Sequence, residues 1–145
     1  MSERITEFVR WYGYGGLIPF VGLTALTAAS VTLPFSLQPV DLFLYWSAII
    51  LSFMAAIIWG LALFVSGIKE KPALTVAVAL TILGWVALLL PTTVSLLLLI
   101  AAFAGLWRFE QTHAFKQVYS CEYRRLRSQL TAVVILCHLI ILVIA

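Results

Sequence analysis

From Ala73 to Trp107 the chain runs for 35 residues without a single charged side chain. As one helix that run would be about 52 Å long, against a membrane hydrocarbon core of about 30 Å. A soluble domain has no interior large enough to hide it, and the composition agrees. The chain is 63% hydrophobic and only 10% charged, where soluble domains carry roughly 25% charged residues. The run must therefore fold back on itself inside a membrane. Its only punctuation is Pro91 followed by Thr92 and Thr93. Proline is tolerated in the first turn of a new helix, so the reversal is expected there.

Three further apolar runs flank this hairpin, each near the length of about 20 residues that a spanning helix needs. The expected crossings are residues 15–33, 42–66, 73–90, 92–107 and 128–145. The fold class that follows is all-α: a polytopic integral membrane protein, a bundle of five transmembrane helices with two amphipathic helices, in one domain over residues 1–145. The first run is too long for the apolar core of a cleaved signal peptide.

Orientation follows from charge. The nine basic residues, Arg4, Arg10, Lys69, Lys71, Arg108, Lys116, Arg124, Arg125 and Arg127, all fall on one side of such a bundle. Basic residues near spanning segments stay inside, so the N-terminus is expected in the cytoplasm and the C-terminus outside. The net charge of +3 is accounted for by this topology, and nucleic acid is not an expected partner. Trp11, Tyr12, Tyr14 and Trp107 should mark the inner interface, and Tyr45, Trp46 and Trp85 the outer one.

Two segments have the period of surface helices. In residues 3–12, Ile5, Phe8, Val9 and Tyr12 share a face, and Gly13, Gly15 and Gly16 follow as a corner into the first crossing. In residues 112–127, Phe115, Val118, Tyr119, Tyr123 and Leu126 oppose Lys116, Arg124 and Arg127, an arrangement suited to anionic lipid at the inner face. Glu122 falls on the apolar side of that helix, three residues from Arg125. This position marks it as either half of a local ion pair or a polar anchor against a partner.

His138 is placed near the middle of the last crossing, where an ionisable side chain is a functional candidate. A hydroxyl from Thr24, Thr27, Ser52 or Thr81 is its expected partner across a helix interface. With Trp59 and Trp85 it could line a ligand cavity. His113, the other histidine, is too distant in this topology to share a metal, and no metal, haem or other cofactor is expected. Cys121 and Cys137, about 24 Å apart along a helix, read as free thiols. The hydrolase and nucleotide-binding motifs GxSxG, HExxH and GxxxxGK are absent, and apart from His138 no crossing carries a titratable group near its middle. A catalyst or an ion-coupled pump is therefore not expected, and no catalytic residue is assigned.

Four segments together resemble a known family: Gly16-Leu17-Ile18-Pro19-Phe20, YWSAIILSFMAAIIWG from Tyr45 to Gly60, GWVALLLP around Trp85, and YRRLRSQLTAVV from Tyr123 to Val134. They are similar to a family of small bacterial and mitochondrial membrane proteins, a domain of unknown function that includes the animal transmembrane protein 69. In that family glycines and a polar residue often precede the Trp-Gly pair, where Ala55, Ala56 and Ile58 stand here. The resemblance implies a bacterial inner membrane, or alternatively a mitochondrial inner membrane, and no particular activity. Five crossings in this length also resemble the translocator-protein fold, in architecture only. The expectation is a non-enzymatic accessory or assembly subunit of a larger membrane complex or homo-oligomer; the alternative is a protein that binds or transports a lipid or other apolar molecule.

Overall fold

The computed structural model describes residues 3–145, and side chains from residue 7 onward except that of His113. The faces expected for Glu3, Arg4 and Ile5 lie outside the described side chains. Among the described residues there are seven α-helices and no strand: α1 (Glu3–Gly15), α2 (Leu17–Ala28), α3 (Pro39–Phe64), α4 (Glu70–Ala87), α5 (Thr92–Glu110), α6 (His113–Val118) and α7 (Cys121–Ile144). Four of them, α3, α4, α5 and α7, are long and apolar enough to cross a membrane, which marks the chain as a membrane protein. At 12 residues, or about 18 Å, α2 is too short to do so alone.

The helices close a ring. α2 packs on α3, α3 on α4, α4 on α5, α5 on α7, and α7 returns to α2, while α3 also reaches α5 across the middle. Phe20, Leu51, Leu99, Phe103 and Ile141 fill the interior. α2 runs antiparallel to α3, since Phe20 meets Phe43 and the Gly16 carbonyl accepts from Trp46 Nε1 at 3.2 Å. That bond sets Trp46 level with the start of α2, so Trp46 does not mark the interface opposite Gly16 as the aromatic pattern had suggested. Its indole is instead a half-buried tie between two helices.

Small residues bring α3 and α4 together. Ala55, Ala73, Ala77 and Ala87 are buried, and a Cβ at Gly84 would lie 3.5 Å from the Ala48 carbonyl. In lipid, where apolar burial between helices supplies little drive, such close backbone approach is a main source of packing energy. Gly22, Gly60 and Gly105 have open space around them, so these three glycines do not mediate close contacts within the bundle.

The hairpin turns at Pro91 as the hydropathy requires. α4 ends at Ala87, the N–H groups of Leu88, Leu89 and Leu90 tighten onto carbonyls three residues back, and Pro91 stands in extended geometry at the N-cap of α5. α2, the helix of the first expected crossing, ends at Ala28, five residues before the expected Leu33. Ser30 adopts a φ of 54°, Ser30 N–H donates to Thr27 O, and Val31 N–H donates to Leu26 O. This is a Schellman terminus, and it satisfies carbonyls that the β-branched Val31 and Thr32, with Pro34 beyond, could not serve by continuing the helix.

The N-terminal glycines also behave differently from expectation. Gly13 and Gly15 lie inside α1, and Gly16 keeps right-handed helical torsions of φ −66° and ψ −18°. The chain therefore passes from α1 to α2 through one residue. α1 packs on α7, where Gly13 lies against Leu126 and Leu130 and Tyr14 Oη donates to Gln129 Oε1 at 2.8 Å.

Residues 112–127 form two helices rather than the single surface helix expected. α6 ends as Tyr119 turns extended, and Ser120 caps α7 by accepting from Tyr123 N–H at 3.2 Å. Phe115, instead of facing lipid, is buried against the α3–α4 connection around Ile68. The basic residues from Lys69 to Lys71 and from Arg108 to Arg127 thus gather at one end of the bundle.

Candidate functional site

Arg127 lies in the second turn of α7 and Glu110 is the last residue of α5, and the ring brings the two together at the basic end. Arg127 Nε donates to Glu110 Oε2 at 2.9 Å while Nη2 donates to Oε1, a bidentate pair. Glu110 retains 3% exposure and Arg127 6%, so both charges are withdrawn from solvent. Planar two-point pairing is the geometry that lets an arginine be buried at all. The remaining amino group, Nη1, meets only the thioether of Met54 on α3, a weak acceptor.

Two tyrosines close this cluster. Tyr119 and Tyr123 stack edge to face at 4.8 Å. The Tyr119 hydroxyl is buried close to the Glu110 carboxylate, but makes no well-formed hydrogen bond. Burial pushes its phenol above the ordinary value, and the Glu110 carboxylate adds to the effect, so it remains neutral.

Above the pair opens a cavity of about 400 Å³ between α1, α2, α3 and α7. Tyr12, Tyr123 and Arg127 are its polar lining; Leu17, Phe20, Ile50, Ile57, Leu130 and Val134 are part of its apolar lining. Its size falls within the range of about 300–1,000 Å³ typical of small-molecule sites. An apolar body with a few convergent donors at one end suits an amphiphile. Among the described residues, no three His, Cys, Asp or Glu side chains converge to form a metal site.

His138 does not line this cavity but adjoins its Phe20 and Val134 wall, fully buried in a box of Phe20, Phe43 and Phe103, with ring centroids at 6.1, 4.7 and 5.6 Å. Its Nδ1 donates to the Val134 carbonyl at 2.7 Å, and Nε2 has no partner. The hydroxyls expected to serve it are bonded within their own helices: Thr24 to Phe20, Thr27 to Leu23, Ser52 to Ala48 and Thr81 to Ala77. A helix offers every β-hydroxyl a carbonyl four residues back, and that local bond forms in each case.

The other expected site residues are dispersed. Trp59 opens on a groove of about 270 Å³ between α3 and α4, with Ser52, Ala56 and Thr81. Trp85 faces outward at 63% exposure. Trp59, Trp85 and His138 are thus not brought together: Trp59 borders the α3–α4 groove, Trp85 is exposed, and His138 is enclosed by phenylalanine rings. Glu122 is exposed in the first turn of α7, where a carboxylate complements the positive end of the helix. Its position is set by Ser120 rather than by the apolar face of a longer helix. Arg125 is exposed, and Arg124 is half-buried with its Nε unpartnered. Both cysteines are free, Cys121 exposed and Cys137 buried.

Sequence reasoning missed Glu110 and Met54. Glu110 ends an apolar run beside Arg108, which made it look like an ordinary interfacial charge. The signal available was the capping pattern Ser120-Cys121-Glu122, which starts a helix and re-aims everything after it.

The sequence pattern of one family spans nearly the whole described bundle, residues 5–143. The chain belongs to the DUF3429 family, proteins of unknown function. No curated protein and no solved structure matches the chain. The DUF3429 pattern therefore covers α2 through α5 and both partners of the Glu110–Arg127 pair.

Proposed function

We propose that this DUF3429 protein is a non-catalytic membrane protein that holds one amphipathic small molecule in the cavity between α1, α2, α3 and α7. The observation that carries this reading is the cavity itself: an apolar chamber of about 400 Å³ with a buried arginine at one end. Its carboxylate and guanidinium are committed to each other, which favours holding a molecule over acid–base chemistry. Gentle extraction from the native membrane and native mass measurement test the reading. One lipophilic molecule per chain is expected, and it should be lost when Leu130→Trp fills the chamber. A wild-type chain that carries no added mass would sink it.

The placement in the cell belongs to the same proposal. Five crossings are supported by the ring, in which α2 takes a full place between α3 and α7; its 12 residues are extended through Gly16 into the end of α1. The basic end lies in the cytoplasm against anionic lipid and the C-terminus outside, in a bacterial plasma membrane. The resemblance to the animal transmembrane protein 69 makes a mitochondrial inner membrane the alternative.

A second reading, a subunit packed against a larger assembly or a second copy, is favoured by the α3–α4 groove, where the exposed Ala56 leaves room for another helix beside Trp59. A bare monomer in native mass measurement would remove it.

A further inference from the structure

Resting on the cavity-binding reading, we infer that the occupant presents a neutral carbonyl oxygen, not an anionic headgroup, to the Nη1 edge of Arg127. Arg127 has five N–H donors. Glu110 takes Nε–H and one from Nη2, leaving the second Nη2 N–H and both of Nη1, with Nη1 against the Met54 sulfur. A guanidinium buried to 6% exposure and lining an apolar chamber thus keeps an amino group whose only acceptor is a thioether. Buried donors of this kind are costly unless satisfied, and a carbonyl oxygen entering the chamber would satisfy them.

The charge of that oxygen is constrained by Glu110. The bidentate pair already neutralises the guanidinium, so a carboxylate or phosphate beside it would leave one uncompensated negative charge in a site from which water is largely removed. An ester or quinone carbonyl carries no such cost. The tyrosine hydroxyl of Tyr123, also in the lining, can donate to the same acceptor. The apolar remainder of the molecule lies along Leu17, Phe20, Ile50 and Leu130 toward Val134.

The test compares matched probes on the full chain in detergent: methyl palmitate, palmitate at a pH where it is ionised, and a short-tailed ubiquinone analogue. The neutral carbonyl compounds should bind about tenfold more tightly than palmitate. The tighter of the two identifies the source of the carbonyl as ester lipid or quinone. Glu110→Gln releases the positive charge of Arg127 and should invert the order in favour of palmitate, while Leu130→Trp should abolish binding of all three. Palmitate binding to the wild-type chain as tightly as its methyl ester would overturn the inference, as would an order unchanged in Glu110→Gln. If Glu110→Gln does not fold, the wild-type order alone decides. Binding without discrimination between heads defeats only this inference, whereas no binding of any probe defeats the cavity reading with it.

Discussion

Arg127 Nε and Glu110 Oε2, 17 residues apart in sequence, lie 2.9 Å apart at the join of α5 and α7. This buried pair ties the last spanning helix to its neighbour. Removing one partner strands the other charge, so Glu110→Ala or Arg127→Ala should cost about 3–5 kcal/mol. The double variant Glu110→Leu/Arg127→Met should recover most of that, because it removes both desolvation costs together. Thermal unfolding in a fixed detergent measures all three; a double variant no more stable than the singles would refute the argument.

Tyr119 should govern part of the alkaline behaviour. Its phenol titrates higher in the folded chain than in the unfolded one, where the ordinary value is 10. The unfolded state therefore loses this proton first, and stability on its account is intact below pH 10 and falls as pH rises above it. Tyr119→Phe should be nearly neutral at pH 7, since the hydroxyl makes no well-formed hydrogen bond to the nearby Glu110, and should flatten the alkaline fall. Melting temperatures across an alkaline pH series check the slope.

The start of α7 rests on Ser120. Ser120→Ala should lower stability by about 1 kcal/mol, and Glu122→Gln by only about 0.3–0.5 kcal/mol through the helix dipole. A larger loss at Glu122 than at Ser120 would restore the anchor role that the sequence suggested.

His138 is predicted to be packing. His138→Leu keeps the box filled and removes an unpartnered ring nitrogen, so it should leave stability within about 1.5 kcal/mol, whereas His138→Ala should cost about 3 kcal/mol. Loss of a bound molecule in the leucine variant with the fold intact would show that the ring has a ligand role.

Orientation is open to a direct measurement, because Cys121 is exposed at the basic end and Cys137 is buried. An impermeant maleimide should label the chain in inverted vesicles and not in intact cells. The opposite pattern would reverse the topology.

What the sequence disclosed and what it hid separate along physical lines. Helix existence follows from local hydropathy, and α3, the Pro91 hairpin and the one-sided basic residues were all visible in it. The Ser30 terminus was not, because an αL serine is chosen by the carbonyls it satisfies and not by its own preference. Nor was the site: pairing Glu110 with Arg127 requires the register of α7, which the continuous amphipathic pattern of 112–127 misassigned. His138 drew attention by its rarity in a spanning helix, yet its surroundings are three rings from α2, α3 and α5 that no local pattern foretells.

The pairing at the end of α5 also sets an order of events at the ribosome. Glu110 is synthesised first and must wait through 17 residues of further synthesis, about one to three seconds at ordinary elongation rates. Once both are made and the bundle closes, each cancels the other in the interior. The basic end then shows its surroundings one cation and one anion fewer than the sequence alone implies.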